Sequence, residues 1–156
     1  MPPTPPETPR PEPIDPGNLH ELAHEVIKDA RFPMLATTDR EGQPRVRPVS
    51  PVRVDPDFTH YVANLATYQK TEEIANNHRV ELAYLASTHD QLRITGIAVV
   101  ETDQDLIGAI WESNPLLRRY IGTPDNPEFI LYTITPKQVR FMREWALEYY
   151  NVEIAS

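Results

Sequence analysis

Seventeen prolines in 156 residues govern what this chain can become, because of where they fall. Eight lie in the first 16 residues: Pro2, Pro3, Pro5, Pro6, Pro9, Pro11, Pro13 and Pro16. Proline fixes φ and removes an amide donor, so this stretch is neither helix nor central strand. The composition predicts an extended, polyproline-like or unstructured arm over residues 1–17, solvated or laid on a partner chain. Three more, Pro44, Pro48 and Pro51, punctuate a strand-forming run over 43–54. Within a sheet, proline is confined to edges, bulges and strand starts. That run is therefore an edge strand, a bulged one, or one whose open side faces a ligand.

The rest of the chain reads as short strands joined mostly by turns. Asn18 is a good N-cap with Glu21 three residues on, and Leu19, Leu22, Ala23, Val26, Ile27 and Ala30 follow helical spacing up to Pro33. Strands follow at Met34–Thr38, 43–54 and 59–64, the first two separated by the turn Asp39-Arg40-Glu41-Gly42. A helix over 68–77, capped by Thr67, precedes strands at 80–87 and Gln91–Val100. Helical segments at 103–113 and 115–120 lead to two last strands, 128–135 and 138–142, split at Pro136. The segment 143–150 reads as either strand or helix. Gly96, inside a strand, predicts a bulge or the close approach of another backbone. This order predicts a mainly β (α+β) fold, an antiparallel split β-barrel with a few flanking helices. The boundaries expected are an arm at 1–17, the domain at 18–150 and a tail at 151–156.

Charge and composition exclude several functions. The net charge is −8, so the long-range field repels polyanions, and nucleic acid and anionic membranes are poor partners. There are no cysteines, hence no disulfides, thiolate metal sites or cysteine nucleophile. No apolar run approaches the roughly 20 residues of a membrane helix. The N-terminus carries neither the basic nor the apolar region of a signal peptide, and the expected location is the cytoplasm. His20-Glu21-Leu22-Ala23-His24 spells the zinc-peptidase motif, but in an amphipathic helix at the domain's outside, with no third ligand in sight. No metal site is expected.

Three segments could hold an anion. Arg45 and Arg47, two apart on a strand, project from one face and repel each other unless an anion lies between them. Asn64-Leu65-Ala66-Thr67-Tyr68-Gln69-Lys70-Thr71 carries a strand into a helix, whose N-terminus offers unpaired N–H groups beside hydroxyls and an ammonium. Gln91, Arg93 and Thr95 form a polar row on one strand face. Taken singly, each also reads as a capped helix or a solvated strand face.

Together these segments resemble the pyridoxamine 5′-phosphate oxidase-like superfamily of FMN-binding split barrels, and within it the general-stress-protein branch. The resemblance rests on Gly42-x-Pro44-x-Val46-Arg47-Pro48, Lys70 entering a helix that ends Ile74-Ala75-Asn76-Asn77, Gln91 five residues before Gly96, and Pro136-x-x-Val139-x-Phe141. It implies a homodimer with two FMN sites across its interface. Arg45, Val46, Arg47 and Ser50 would line the phosphate and ribityl side. Asn64, Tyr68, Lys70 and Thr71 would finish the phosphate site, and Gln91 would reach the ring from the other subunit. The tryptophan and Arg-x-His clamp of true pyridoxamine-phosphate oxidases is missing after Phe141, where Met142-Arg143-Glu144-Trp145 stands. Trp145, Tyr149 and Tyr150 would instead cover the flavin or pad the dimer. The resemblance implies a flavin-dependent oxidoreductase exchanging electrons with a small-molecule donor and acceptor. The alternative is a non-catalytic binder of flavin, deazaflavin or haem.

Overall fold

The computed structural model describes residues 1–7 and 9–154. The elements are α1 (Leu19–Ala30), β1 (Met34–Thr38), β2 (Pro44–Pro48), β3 (Pro51–Val54), β4 (His60–Leu65), α2 (Gln69–Asn76), β5 (Arg79–Leu85), β6 (Gln91–Val100), α3 (Gln104–Ser113), α4 (Pro115–Ile121), β7 (Phe129–Met142) and β8 (Tyr150–Val152). All strand pairs are antiparallel, in the order β2-β1-β5-β6-β7-β4-β3, with β8 added to β7.

That order forces the sheet to curl. β2 and β3 are its two edges, yet only Val49 and Ser50 separate them in the chain. Three residue steps span at most about 10 Å. A flat sheet would hold edges six strand spacings apart at about 29 Å. The sheet therefore closes on itself and stops short of pairing β2 with β3. Pro44, Pro48 and Pro51 strip amide donors from both edges. The expected single strand over 43–54 is thus two strands on opposite edges of the split.

The barrel interior holds Leu35, Leu82, Tyr84, Leu92, Ile94, Ile134, Val139 and Phe141, with Ala23 and Val26 of α1 and Ile74 of α2 packed against them. The outside of β4 and β7 is covered by α3 and α4, where Trp111, Ile110 and Leu117 meet Tyr61 and Leu131. No helix of the described residues is long and apolar enough to cross a membrane.

Among the described residues, one sheet face has no helix over it. By register it carries Val46 of β2, Met34 and Ala36 of β1, Leu85 of β5, Gln91 and Arg93 of β6, and Arg140 of β7. Val46 is 63% exposed and Leu85 59%.

Several local expectations change. Asn18 makes no side-chain cap; a 3-10 turn, Pro16–Asn18, feeds α1, and Asp15 caps that turn through Gly17 N at 3.0 Å. Tyr68, not Thr67, occupies the N-cap of α2. The two strands expected around Pro136 are one 14-residue strand, β7. Its register slips between Thr95 and Gly96, and Gly96 faces Pro136. A Cβ on Gly96 would meet Ile134 Cγ2 and Thr135 O, each at 2.9 Å, so the bulge and the close approach coincide. Segment 143–150 is mostly loop, ending in β8. Pairing thereby runs to Val152, into the expected tail, whose residues 155 and 156 lie outside the described ones. Residue 8 of the arm lies outside them as well.

His20 and His24 have a shared task. Both Nε2 atoms donate to the Pro56 carbonyl oxygen, at 2.9 and 3.0 Å. Their rings pack on Phe58, which is fully buried at φ 64. The motif thus pins α1 to the turn before β4. Among the described residues no group of three metal-binding side chains gathers.

Candidate anion and cofactor site

α2 starts where β4 leaves the sheet. Tyr68 N bonds to Leu65 O at 3.0 Å, and Tyr68 is still extended, with ψ 145, before the helix turns in. Asn64, the last buried residue of β4, donates from Nδ2 to Thr71 Oγ1 at 2.7 Å. The Thr71 hydroxyl lies 3.3 Å from Leu65 O. Asn64 Oδ1 is buried and has no hydrogen-bond partner among the described residues. Buried carbonyl oxygens rarely stay unpaired. Tyr132 of β7 borders the pair; burial raises its phenol pKa, and Thr71 and Asn64 pull it back.

Arg47 approaches α2 from β2. Its Nη2 donates to Glu73 Oε2 at 2.6 Å, and its Nη1 to Thr37 Oγ1 at 2.7 Å and Leu35 O at 3.3 Å. The Thr37 hydroxyl donates to the same Glu73 oxygen. Burial alone would raise the Glu73 carboxyl, but Thr37 and Arg47 outweigh it and hold it below its ordinary value. Lys70 stands half-buried, its Nζ 4.7 Å from the Tyr68 ring centroid. Burial lowers its pKa, Arg47 lowers it further, and Glu73 opposes both. Among the described residues, it has no carboxylate at ion-pair distance.

Arg45 points the same way as Arg47 but is more exposed, and it pairs with Asp39 Oδ2 at 3.1 Å. The backbone N–H of Gln43, above all, holds the Asp39 carboxyl below its usual range. The two arginines are therefore not left facing each other, as their spacing suggested; each has its own carboxylate. An open cleft of about 410 Å³ lies between this turn and α2, lined in part by Arg45, Gln69, Glu72 and Glu73.

The structure thus brings Arg47, Lys70, Asn64, Tyr68 and Thr71 around the start of α2, with Arg45 at the margin. Val46 projects to the opposite, uncovered face, and Ser50 is exposed in the link between β2 and β3. Gln91 is not among them: its Oε1 accepts from Tyr149 at 3.1 Å, and Tyr149 lies under the guanidiniums of Arg93 and Arg140. Trp145 is 59% exposed, in a loop anchored by Asp90 to Arg143 at 2.9 Å. Sequence reading missed Thr37, Asp39 and Glu73. A signal for Thr37 existed, since strand alternation places it on the buried side with Leu35.

Comparison with known proteins agrees with this architecture. General stress protein 26 from Bacillus anthracis str. Sterne is 25% identical, with TM-score 0.68 over 86% of this chain and 99% of that one. A pyridoxamine 5′-phosphate oxidase-related, FMN binding protein from Nostoc punctiforme is 18% identical, with TM-score 0.69 over 90% and 91%. A heme binding protein from Mycobacterium smegmatis is 16% identical, with TM-score 0.69 over 85% of this chain and 57% of that one. No curated protein matches. The family model for pyridoxamine 5′-phosphate oxidase matches residues 19–143, and the chain belongs to that family.

Proposed function

We propose that this chain binds FMN and works as a flavin-dependent oxidoreductase in the cytoplasm, on a substrate other than pyridoxamine phosphate. The observation that carries the reading is Lys70: an ammonium held half-buried beside a second cation, at a helix start, with no carboxylate of its own. Such a placement is stabilised by a bound anion. The flavin phosphate suits it, with Arg47 as a further donor, the Thr71 hydroxyl another once it turns from Leu65 O, and Arg45 attracting from the margin. A ribityl hydroxyl is a fitting donor for the orphaned Asn64 Oδ1.

Two chains would pair through the uncovered sheet face, where apolar Val46, Met34 and Leu85 lie exposed. Gln91 lies on that face and away from its own chain's cation cluster, which fits service to the other chain's flavin. Residues 1–17 would lie outside the cofactor-binding unit as an arm. When bound, FMN supplies the electron transfer; the chain's residues bind and orient it. A haem needs an axial ligand, and His60, the histidine of β4, spends both ring nitrogens on Phe58 O and the Tyr84 hydroxyl, at 2.8 and 2.7 Å. That removes His60 alone as an axial ligand; the flavin reading rests on the cations at the start of α2.

The test is titration with FMN and with riboflavin, followed by absorbance, then anaerobic NADPH. FMN should bind far more tightly than riboflavin and bleach with the reductant. Lys70→Ala should weaken FMN alone by about 1.5–3 kcal/mol, or ten- to a hundredfold. Arg45→Ala should cost less, because that side chain is exposed and paired. Equal affinity for both flavins would remove the phosphate site. A monomer by light scattering at micromolar concentration would remove the shared site.

A further inference from the structure

Arg47 is held in an unusual degree of restraint for a side chain on a sheet edge. Three bonds fix its guanidinium: to Glu73, to Thr37 and to the Leu35 carbonyl. Thr37 and Glu73 are both buried, at 2% and 7% exposure, and the Thr37 hydroxyl closes the triangle by donating to Glu73. One hydroxyl thus accepts from the arginine and donates to the carboxylate that holds it. Nη1 spends its two hydrogens on Thr37 and Leu35, and Nη2 spends one on Glu73. The Nε hydrogen and the second Nη2 hydrogen have no protein acceptor among the described residues.

We propose that Thr37 and Glu73 are positioning residues that set Arg47 in one rotamer before any ligand arrives, leaving those two donors for an anionic oxygen. This rests on the reading of the α2 start as a phosphate site. The three residues come from β2, β1 and α2, and Glu73 joins the paired strands β1 and β2 to the helix. The clamp therefore also ties the anion site to the helix that supplies Lys70. A free arginine would have to give up rotamer freedom on binding, and a fixed one does not. The carboxylate also offsets one of the two cations, so Lys70 and Arg47 are not forced apart.

Thr37→Val keeps the size and the charge while deleting the bridging hydroxyl; Thr37→Ser restores it. The ratio of riboflavin to FMN dissociation constants reads the phosphate contribution and is blind to general loosening. That ratio should fall five- to tenfold in Thr37→Val and return in Thr37→Ser. An unchanged ratio in Thr37→Val, with wild type still preferring FMN, overturns the clamp and leaves the cofactor reading intact. Should wild type bind neither flavin, the cofactor reading fails, and the clamp is read in the ligand-free protein. Exchange of the Arg47 Nη1 and Nη2 hydrogens, with each other and with solvent, followed by NMR, should then be slow in wild type and Thr37→Ser and fast in Thr37→Val. Equal exchange in all three overturns it.

Discussion

His60 makes the barrel sensitive to mild acid. Its ring is fully buried between β4 and β5, with Nδ1 on Phe58 O and Nε2 on the Tyr84 hydroxyl. Burial, chiefly, lowers its pKa from 6.5 to about 4. The folded chain thus refuses a proton that the unfolded chain accepts below 6.5. Where the unfolded state binds more protons, stability rises with pH, so it falls on acidification through this window. The loss is roughly 2 kcal/mol between about pH 7.5 and about pH 5, and roughly 3 kcal/mol by about pH 4. The carboxylates of Asp29, Asp39, Glu73 and Glu101 are all held below their ordinary values. Their own losses therefore come in more acid solution, which leaves the upper window to histidine. Urea unfolding at the two pH values should show a midpoint lower by about 1 M at the acid end, for a slope of about 2 kcal/mol per molar. His60→Gln removes the titrating ring and should lose most of that difference. A midpoint that does not move in wild type, or a His60→Gln variant with the full pH dependence, would refute the reasoning.

Two other perturbations test the architecture. Gly96→Ala drives a methyl to 2.9 Å from both Ile134 and the Thr135 carbonyl and should cost about 1–3 kcal/mol by urea unfolding, whereas wild-type stability would mean the bulge relaxes freely. Asp90→Asn takes the charge from the bond to Arg143 and weakens the acceptor for Glu144 N; it should cost about 1–3 kcal/mol and speed proteolysis in the Trp145 loop, and an unchanged cleavage rate would show that Asp90 does not hold that loop.

Much of the fold was legible because period-2 alternation marks half-buried strands. β1 and β6 fall where their patterns place them, at Met34–Thr38 and Gln91–Val100. The two misread regions both turn on proline, and in opposite directions. Pro48 and Pro51 break a run that reads as one strand, whereas Pro136 fails to break a run that reads as two. The difference is what lies opposite. Pro136 faces Gly96, which has no side chain to obstruct the bulge. At Pro48 the strand has reached Met34, the first residue of β1, so its partner ends and turning away costs few ladder bonds. Whether a proline ends a strand is thus decided by a partner distant in sequence, and a single strand's pattern does not contain it.

The same holds at the anion site. The cations were legible as Arg45, Arg47 and Lys70, but their counter-charges were not. Glu73 reaches Arg47 from 26 residues away, and Asp39 takes Arg45 across the β1–β2 turn. Arg45 and Arg47 each hold a carboxylate, and of these three cations only Lys70 has none at ion-pair distance among the described residues. A phosphate bound there as proposed would meet cations that are mostly already paired. Any new anion must gain most from Lys70, whose ammonium has no carboxylate to give up. From Arg47 it gains the free edge of a guanidinium that keeps its own partner. From Arg45 it gains least, since an exposed pair in water is worth little either way. The ranking of the three substitutions thus follows from which charges the fold has already spent, and not from how many positive residues the sequence places nearby.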